Sequence, residues 1–117
     1  NLEAADIAEM EYLAGRMEEA EDIESFLAID RRFHLTSYRG VRFPLIVQLV
    51  ERFWNTTQHY RRSLAENRTP EDFQLAHSDH RLLIQTARDG NEDVAAAIVK
   101  RHIERTRDSL MKMPELP

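Results

Sequence analysis

Asp30 and His34 are four residues apart. On an α-helix that spacing sets them one turn apart on a single face, with roughly 6 Å between their Cβ atoms. A carboxylate oxygen and an imidazole nitrogen are both good ligands for a borderline divalent metal. His80 and His102 lie in two later segments, each among apolar residues at helical intervals. If the helices bearing them pack against the Asp30 face, the chain offers three nitrogens and one oxygen to a single ion.

Asp30 is the anomaly that gives this pattern weight. Positions 26, 29, 30, 33, 34 and 37 share one side of a helix, and that side is otherwise largely apolar. An aspartate buried there without a partner costs several kcal/mol, on the order of the desolvation of a polar group, or gives up its charge. A cation removes the penalty, and so would an arginine such as Arg81. His77 precedes His80 by nearly one turn and competes with it as a ligand. His59, within residues 58–62, reads as a surface residue. A lone histidine on an apolar face is more often a hydrogen-bonded core residue than a ligand. Three histidines and an aspartate on inward faces of three helices are harder to ascribe to coincidence.

Other chemistries find no support. The chain has no HExxH pair, so it is no zincin-type protease. It has no Glu-x-x-His, which disfavours a di-iron bundle. It has no Gly-rich phosphate loop, no His-Asp dipeptide in the 77–80 stretch, and no nucleophile with a clear base partner. With no cysteine, neither a disulfide framework nor a thiolate site is possible. On the residues alone two classes of function stay open: a mononuclear metalloenzyme on a helical bundle, and a structural helical interaction module in which these residues make ordinary hydrogen bonds.

The elements that must position the four residues are helices. With 117 residues, the chain suits one domain with a sizeable core. It has only 3 Gly and 4 Pro, most of them at helix boundaries, and no convincing strand alternation. The reading is an all-α antiparallel helical bundle of about five to six helices. The first helix covers about 4–19, with Ile7, Met10, Leu13, Ala14 and Met17 on one face. Asp22 caps the second, which carries Phe26, Asp30, Phe33 and His34 and fades near Gly40. After the connector Val41-Arg42-Phe43, Pro44 opens a third helix. It is apolar nearly all round in its early part, is expected to be the central and most buried helix, and extends as far as Leu64. Thr69-Pro70-Glu71-Asp72 is the clearest start signal, opening a fourth helix that Gly90 ends. Asn91 opens the fifth, with Val94, Ala97, Ile98, His102 and Ile103 in register, stopping before Pro114.

Net charge is −5, from 21 acidic and 16 basic residues. A duplex reader usually shows a basic face, so this stretch is not expected to read DNA by itself. No apolar run reaches the roughly 18 residues of a transmembrane helix, and no signal peptide is present. A cytoplasmic location is expected, with no membrane partner. The start at Asn1, without an initiator Met, suggests a fragment of a longer protein.

Residues 29–34, with Asp30 and the Phe33-His34 pair, resemble the D-x-x-F-H motif of the FCD domain. That domain is the C-terminal effector domain of the FadR subfamily of GntR transcription regulators. His80-Arg81-x-Leu83-Ile84, Ala87, Gly90-Asn91, Ala95 and His102-Ile103 follow the family's second motif block at matching intervals. Pro44, ten residues after His34, falls where the family opens a helix. The resemblance covers about residues 5–112. Arg42-Phe43 replaces the usual Gly-Asn before the proline, and Asp79 stands where a glutamate often precedes the histidine.

The resemblance implies that Asp30, His34, His80 and His102 are four ligands of a divalent metal, most often zinc or nickel, as in the metal-binding branch of the family. It implies open coordination positions for water or a small carboxylate-bearing effector. Arg52 is a candidate fork for a second carboxylate, with Thr56 one turn on and Thr106 four residues after His102 as further ligand-binding candidates. Residues 1–117 then form a single ligand-binding and dimerisation domain, not an enzyme. It acts as a homodimer and reaches DNA only through an N-terminal winged helix-turn-helix that this chain lacks.

Overall fold

The computed structural model describes residues 2–40 and 43–111, with side chains excepted at positions 92, 95, 96, 99, 103, 106, 109 and 110. Six helices run in order: α1 (Ala4–Glu18), α2 (Ile23–Ser37), α3 (Pro44–Thr56), α4 (Gln58–Glu66), α5 (Pro70–Asp89) and α6 (Glu92–Met111). Among the described residues there is no strand, and no helix is long and apolar enough to cross a membrane. The all-α reading of the sequence is the fold observed. The chain divides into two compact units, Asn1–Arg62 and Ser63–Pro117.

In the first unit, α1 and α2 form the main packing pair. Met10, Leu13, Ala14 and Met17 recur at the three- and four-residue intervals of one helix face and are all buried. On α2 the buried residues are Phe26, Phe33 and Thr36. Burying a residue the size of Phe33 contributes about 1.5–3 kcal/mol relative to leaving it in water. Asp22 caps α2 as expected, its Oδ1 accepting from the Ser25 backbone N–H at 2.7 Å. The rim of the pair is ionic. Glu9 of α1 accepts from Arg32 at 2.8 Å and from Arg39 at 2.5 Å, both on or just beyond α2. Arg32 forms the largest favourable bond to the Glu9 carboxyl, and with Arg39 it holds that group below its ordinary value.

α3 departs from expectation. Of its side chains only Trp54 is buried, while Leu45, Ile46, Leu49 and Phe53 are exposed. It is therefore not the central buried helix. The reason is one of neighbours: in this unit α3 packs mainly on α2, and one main partner covers one face of a helix that is apolar on several. Arg31 of α2 donates to Asn55 at 2.8 Å across that contact. The third helix also stops short of Leu64. Thr56 and Thr57 both turn their hydroxyls back onto the Phe53 carbonyl, at 3.2 and 2.7 Å. Such back-bonding competes with the helical ladder and bends it. Thr57 adopts φ −104° and ψ 11°, and α4 starts at the next residue. Arg62 in the first turns of α4 pairs with Glu24 of α2. Val41 and Arg42 of the expected connector lie outside the described residues.

In the second unit, α5 packs on α6. The start of α5 follows its sequence signal. Thr69 accepts from the Asp72 backbone N–H at 3.2 Å, and Asp72 accepts in return from the Thr69 backbone N–H at 3.0 Å. Its end is equally local: Gly90 has φ 67°, and the Asn91 N–H returns to the Thr86 carbonyl at 3.2 Å. The Asn91 side chain then accepts from the Val94 backbone N–H at 3.1 Å, capping the entry to α6. Ala76, Asp79, His80, Ile84 and Thr86 are buried on α5, and Ile98 is buried on α6. Val94, expected on the inward face of α6, is exposed, and Ile103 is among the side chains outside the description.

Candidate metal centre

Each unit carries a pair of donors. In the first, the helical spacing of Asp30 and His34 brings Asp30 Oδ1 to 3.2 Å from His34 Nε2. Both side chains are mostly buried, at 15 % and 14 % exposure. Two ligands held about 2.0–2.1 Å from one tetrahedral ion stand roughly 3.3 Å apart. The contact is that of an ordinary i,i+4 ion pair, and its separation is also one that a shared cation accommodates.

The His34 ring is held by aromatic neighbours. Trp54 of α3 stacks on it, with centroids 5.1 Å apart and planes 25° from parallel. The Phe33 ring meets it edge-on at 5.3 Å. The Arg61 guanidinium carbon lies 3.4 Å from the centre of the Trp54 ring, a cation–π contact. A ring packed this way has few rotamers open to it, so its nitrogens are aimed before any ligand arrives.

In the second unit, His80 of α5 is 2 % exposed. Its ring centroid lies 5.9 Å from that of His102 on α6, with the planes tilted by 49°. Two imidazoles sharing one ion have centroids roughly 5–6 Å apart, given Zn–N bonds of about 2.0–2.1 Å. His80 is thus the α5 histidine whose ring lies against His102, and His77 sits nearly one turn earlier.

Beside them is a residue that the sequence reading noted only as a departure from the family motif. Asp79 is fully buried. Its Oδ1 accepts from Arg101 at 3.0 Å, and its Oδ2 accepts from Arg105 at 2.5 Å and from His102 Nδ1 at 3.1 Å. Burial pushes the Asp79 carboxyl up, but the His102 bond, the Arg105 charge and the Arg101 bond outweigh it and hold the group below its ordinary value. The carboxyl is therefore ionised and accepts only.

The family model of the FCD domain matches residues 1–105. The chain belongs to the FCD domain family. No curated protein and no solved structure matched it significantly. FCD domains are effector-binding regulatory domains of GntR-type regulators, a regulatory family and not an enzymatic one.

In this FCD domain the expected effector-binding residues fare unevenly. Arg52 and Thr56 are both exposed on α3, and the Thr56 hydroxyl is directed to its own helix, at the Phe53 carbonyl. The expectation that Arg52 sits on a buried helix is corrected for the reason given for α3. The Thr106 side chain lies outside the described residues. His59 is exposed, as read from sequence. Two contributors were missed, Trp54 and Asp79. The signal for Asp79 was present: an acid on the Ala76, His80, Leu83, Ile84 face of one helix, and Arg101 and Arg105 one turn apart around His102 on another.

Proposed function

We propose that this FCD domain senses a small carboxylate-bearing effector through a divalent metal, with zinc or nickel the best fit to the donors. Asp30, His34, His80 and His102 would hold the ion. Asp30 and His34 would supply one oxygen and one nitrogen from the first unit, and His80 and His102 two nitrogens from the second. The observation that carries the reading is the Asp30–His34 pair, whose 3.2 Å separation matches two ligands of one ion. When bound, the metal supplies a Lewis acid to which a carboxylate can bind. The protein's part is to orient the donors and to surround them with apolar side chains, which sharpens selectivity for an organic acid.

The proposal extends to a cytoplasmic regulator that acts as a homodimer and contacts DNA through a separate N-terminal domain. Effector binding would shift helix packing and so operator affinity, with a coupling of about 1–3 kcal/mol.

Metal analysis and calorimetry test the reading. Protein stripped with chelator should take up close to one zinc or nickel per chain, and His34→Ala and His102→Ala should each abolish tight uptake. Stoichiometry near zero in the native protein, with no gain on adding either metal, would overturn it. With metal bound, small organic acids should raise the melting temperature without being turned over, since a ligand of the native state stabilises it by mass action. Turnover of esters, phosphates or organic acids would instead favour a metalloenzyme.

A further inference from the structure

We propose that Asp79 is a positioning residue for the metal centre: it fixes the tautomer and orientation of His102, and Arg101 and Arg105 hold its carboxylate in place. This inference rests on the metal reading above. A neutral imidazole has one N–H and one lone pair, and a hydrogen bond at one nitrogen decides which nitrogen keeps the pair. Asp79 Oδ2 lies 3.1 Å from His102 Nδ1. An ionised carboxylate only accepts, so Nδ1 carries the proton and the lone pair falls on Nε2.

The two arginines make that assignment firm. Asp79 is 0 % exposed, so the place of its carboxylate is set by the groups that bond it. Arg101 and Arg105 stand one turn apart on α6 and grip Asp79 at 3.0 and 2.5 Å. With three donors on its two oxygens, Asp79 is committed to this support. Asp79 directly precedes His80 on α5, and successive helical side chains point about 100° apart: His80 lies with its ring centroid 5.9 Å from that of His102, and Asp79 meets the His102 Nδ1 edge and the arginines. Metal-bound histidines commonly donate their other ring N–H to a carboxylate, and loss of that partner typically costs 10–100-fold in metal affinity.

The test uses the full chain in three forms: wild type, Asp79→Asn, and Arg101→Gln, which removes an ion pair but keeps the Asp79–His102 bond. Nitrogen chemical shifts of the metal-free wild type should show His102 protonated at Nδ1. Asp79→Asn should move the proton toward Nε2 and weaken zinc binding about 10- to 100-fold. Arg101→Gln should lower the melting temperature while leaving the tautomer and zinc affinity close to wild type. Equal zinc affinity in wild type and Asp79→Asn would overturn the proposal alone and leave Asp79 a plain tie between α5 and α6. Wild-type protein that binds no zinc would overturn the metal reading and this proposal together. Should Asp79→Asn fail to fold, the wild-type tautomer decides: a proton on Nε2 overturns the proposal.

Discussion

Trp54 stacks on His34 with ring centroids 5.1 Å apart. It is the chain's single tryptophan, so intrinsic fluorescence reports on one of the proposed ligands. Adding zinc or nickel to chelator-stripped protein should change the emission and saturate at about one equivalent. His34→Ala should shift the metal-free spectrum and remove the response. Metal uptake seen by calorimetry with no change in Trp54 emission would show that the ion binds away from His34.

Glu9 predicts an acid-sensitive first unit. Arg32 and then Arg39 lower its carboxyl below the ordinary value of 4.5. A carboxylate with a depressed folded-state value stabilises the fold above its unfolded value, and the benefit disappears as the pH falls through the folded one. The α1–α2 pair should therefore lose stability on acidification below about pH 4.5. Glu9→Gln should be less stable at neutral pH and should show a flatter dependence over that acidic range. Denaturant midpoints across pH 2.5–7, roughly the interval that spans both protonation states, give the comparison. Parallel curves for the two proteins would contradict the prediction.

Phe33 is completely buried. Phe33→Ala removes a large core side chain and leaves a cavity beside His34, and should cost about 3–5 kcal/mol in denaturant unfolding. Phe33→Leu, closer in volume, should cost less than half as much. A loss below about 1 kcal/mol for Phe33→Ala would mean that the site collapses around the missing ring.

Gly90 has φ 67°, and a Cβ added there would meet nothing within 4 Å. The cost of Gly90→Ala is thus conformational, about 1–2 kcal/mol for an L-residue held in the left-handed region. Gly90→Asn should cost less, because asparagine visits that region more readily. Equal stability of the two variants would show that the α5–α6 turn relaxes to another conformation.

How much of this was legible follows from where each signal resides. The caps of α2 and α5, the Gly90 stop and the Asn91 start were all readable, because a cap bond spans three residues and its chemistry lies within them. The Asp30–His34 pair was readable for the same reason, since four residues on a helix fix the approach of two side chains. The exposure of Leu45, Leu49 and Phe53 was not, because apolar residues do not state how many neighbours will come to cover them. The break at Thr57 has a local cause in two adjacent threonines, yet Leu64 beyond it kept the helical pattern alive. Asp79 escaped because its meaning depends on Arg101, His102 and Arg105, more than twenty residues away, and because the more conspicuous His80 follows it immediately.

α5 holds Asp79 and His80 as the tenth and eleventh of its twenty residues. At 1.5 Å per residue the helix is about 30 Å long, so its grip on α6 lies roughly 15 Å from either end. Taken as a pin, the Asp79 bonds sit at the balance point of a beam, with buried residues from Ala76 to Thr86 on either side. A tilt of about 5° about that pin would swing the Pro70 and Gly90 ends in opposite directions by roughly 1.3 Å each, given that length. Under the proposed metal reading, a tilt set at His80 and His102 would reach the two turns that flank α5 equally and oppositely.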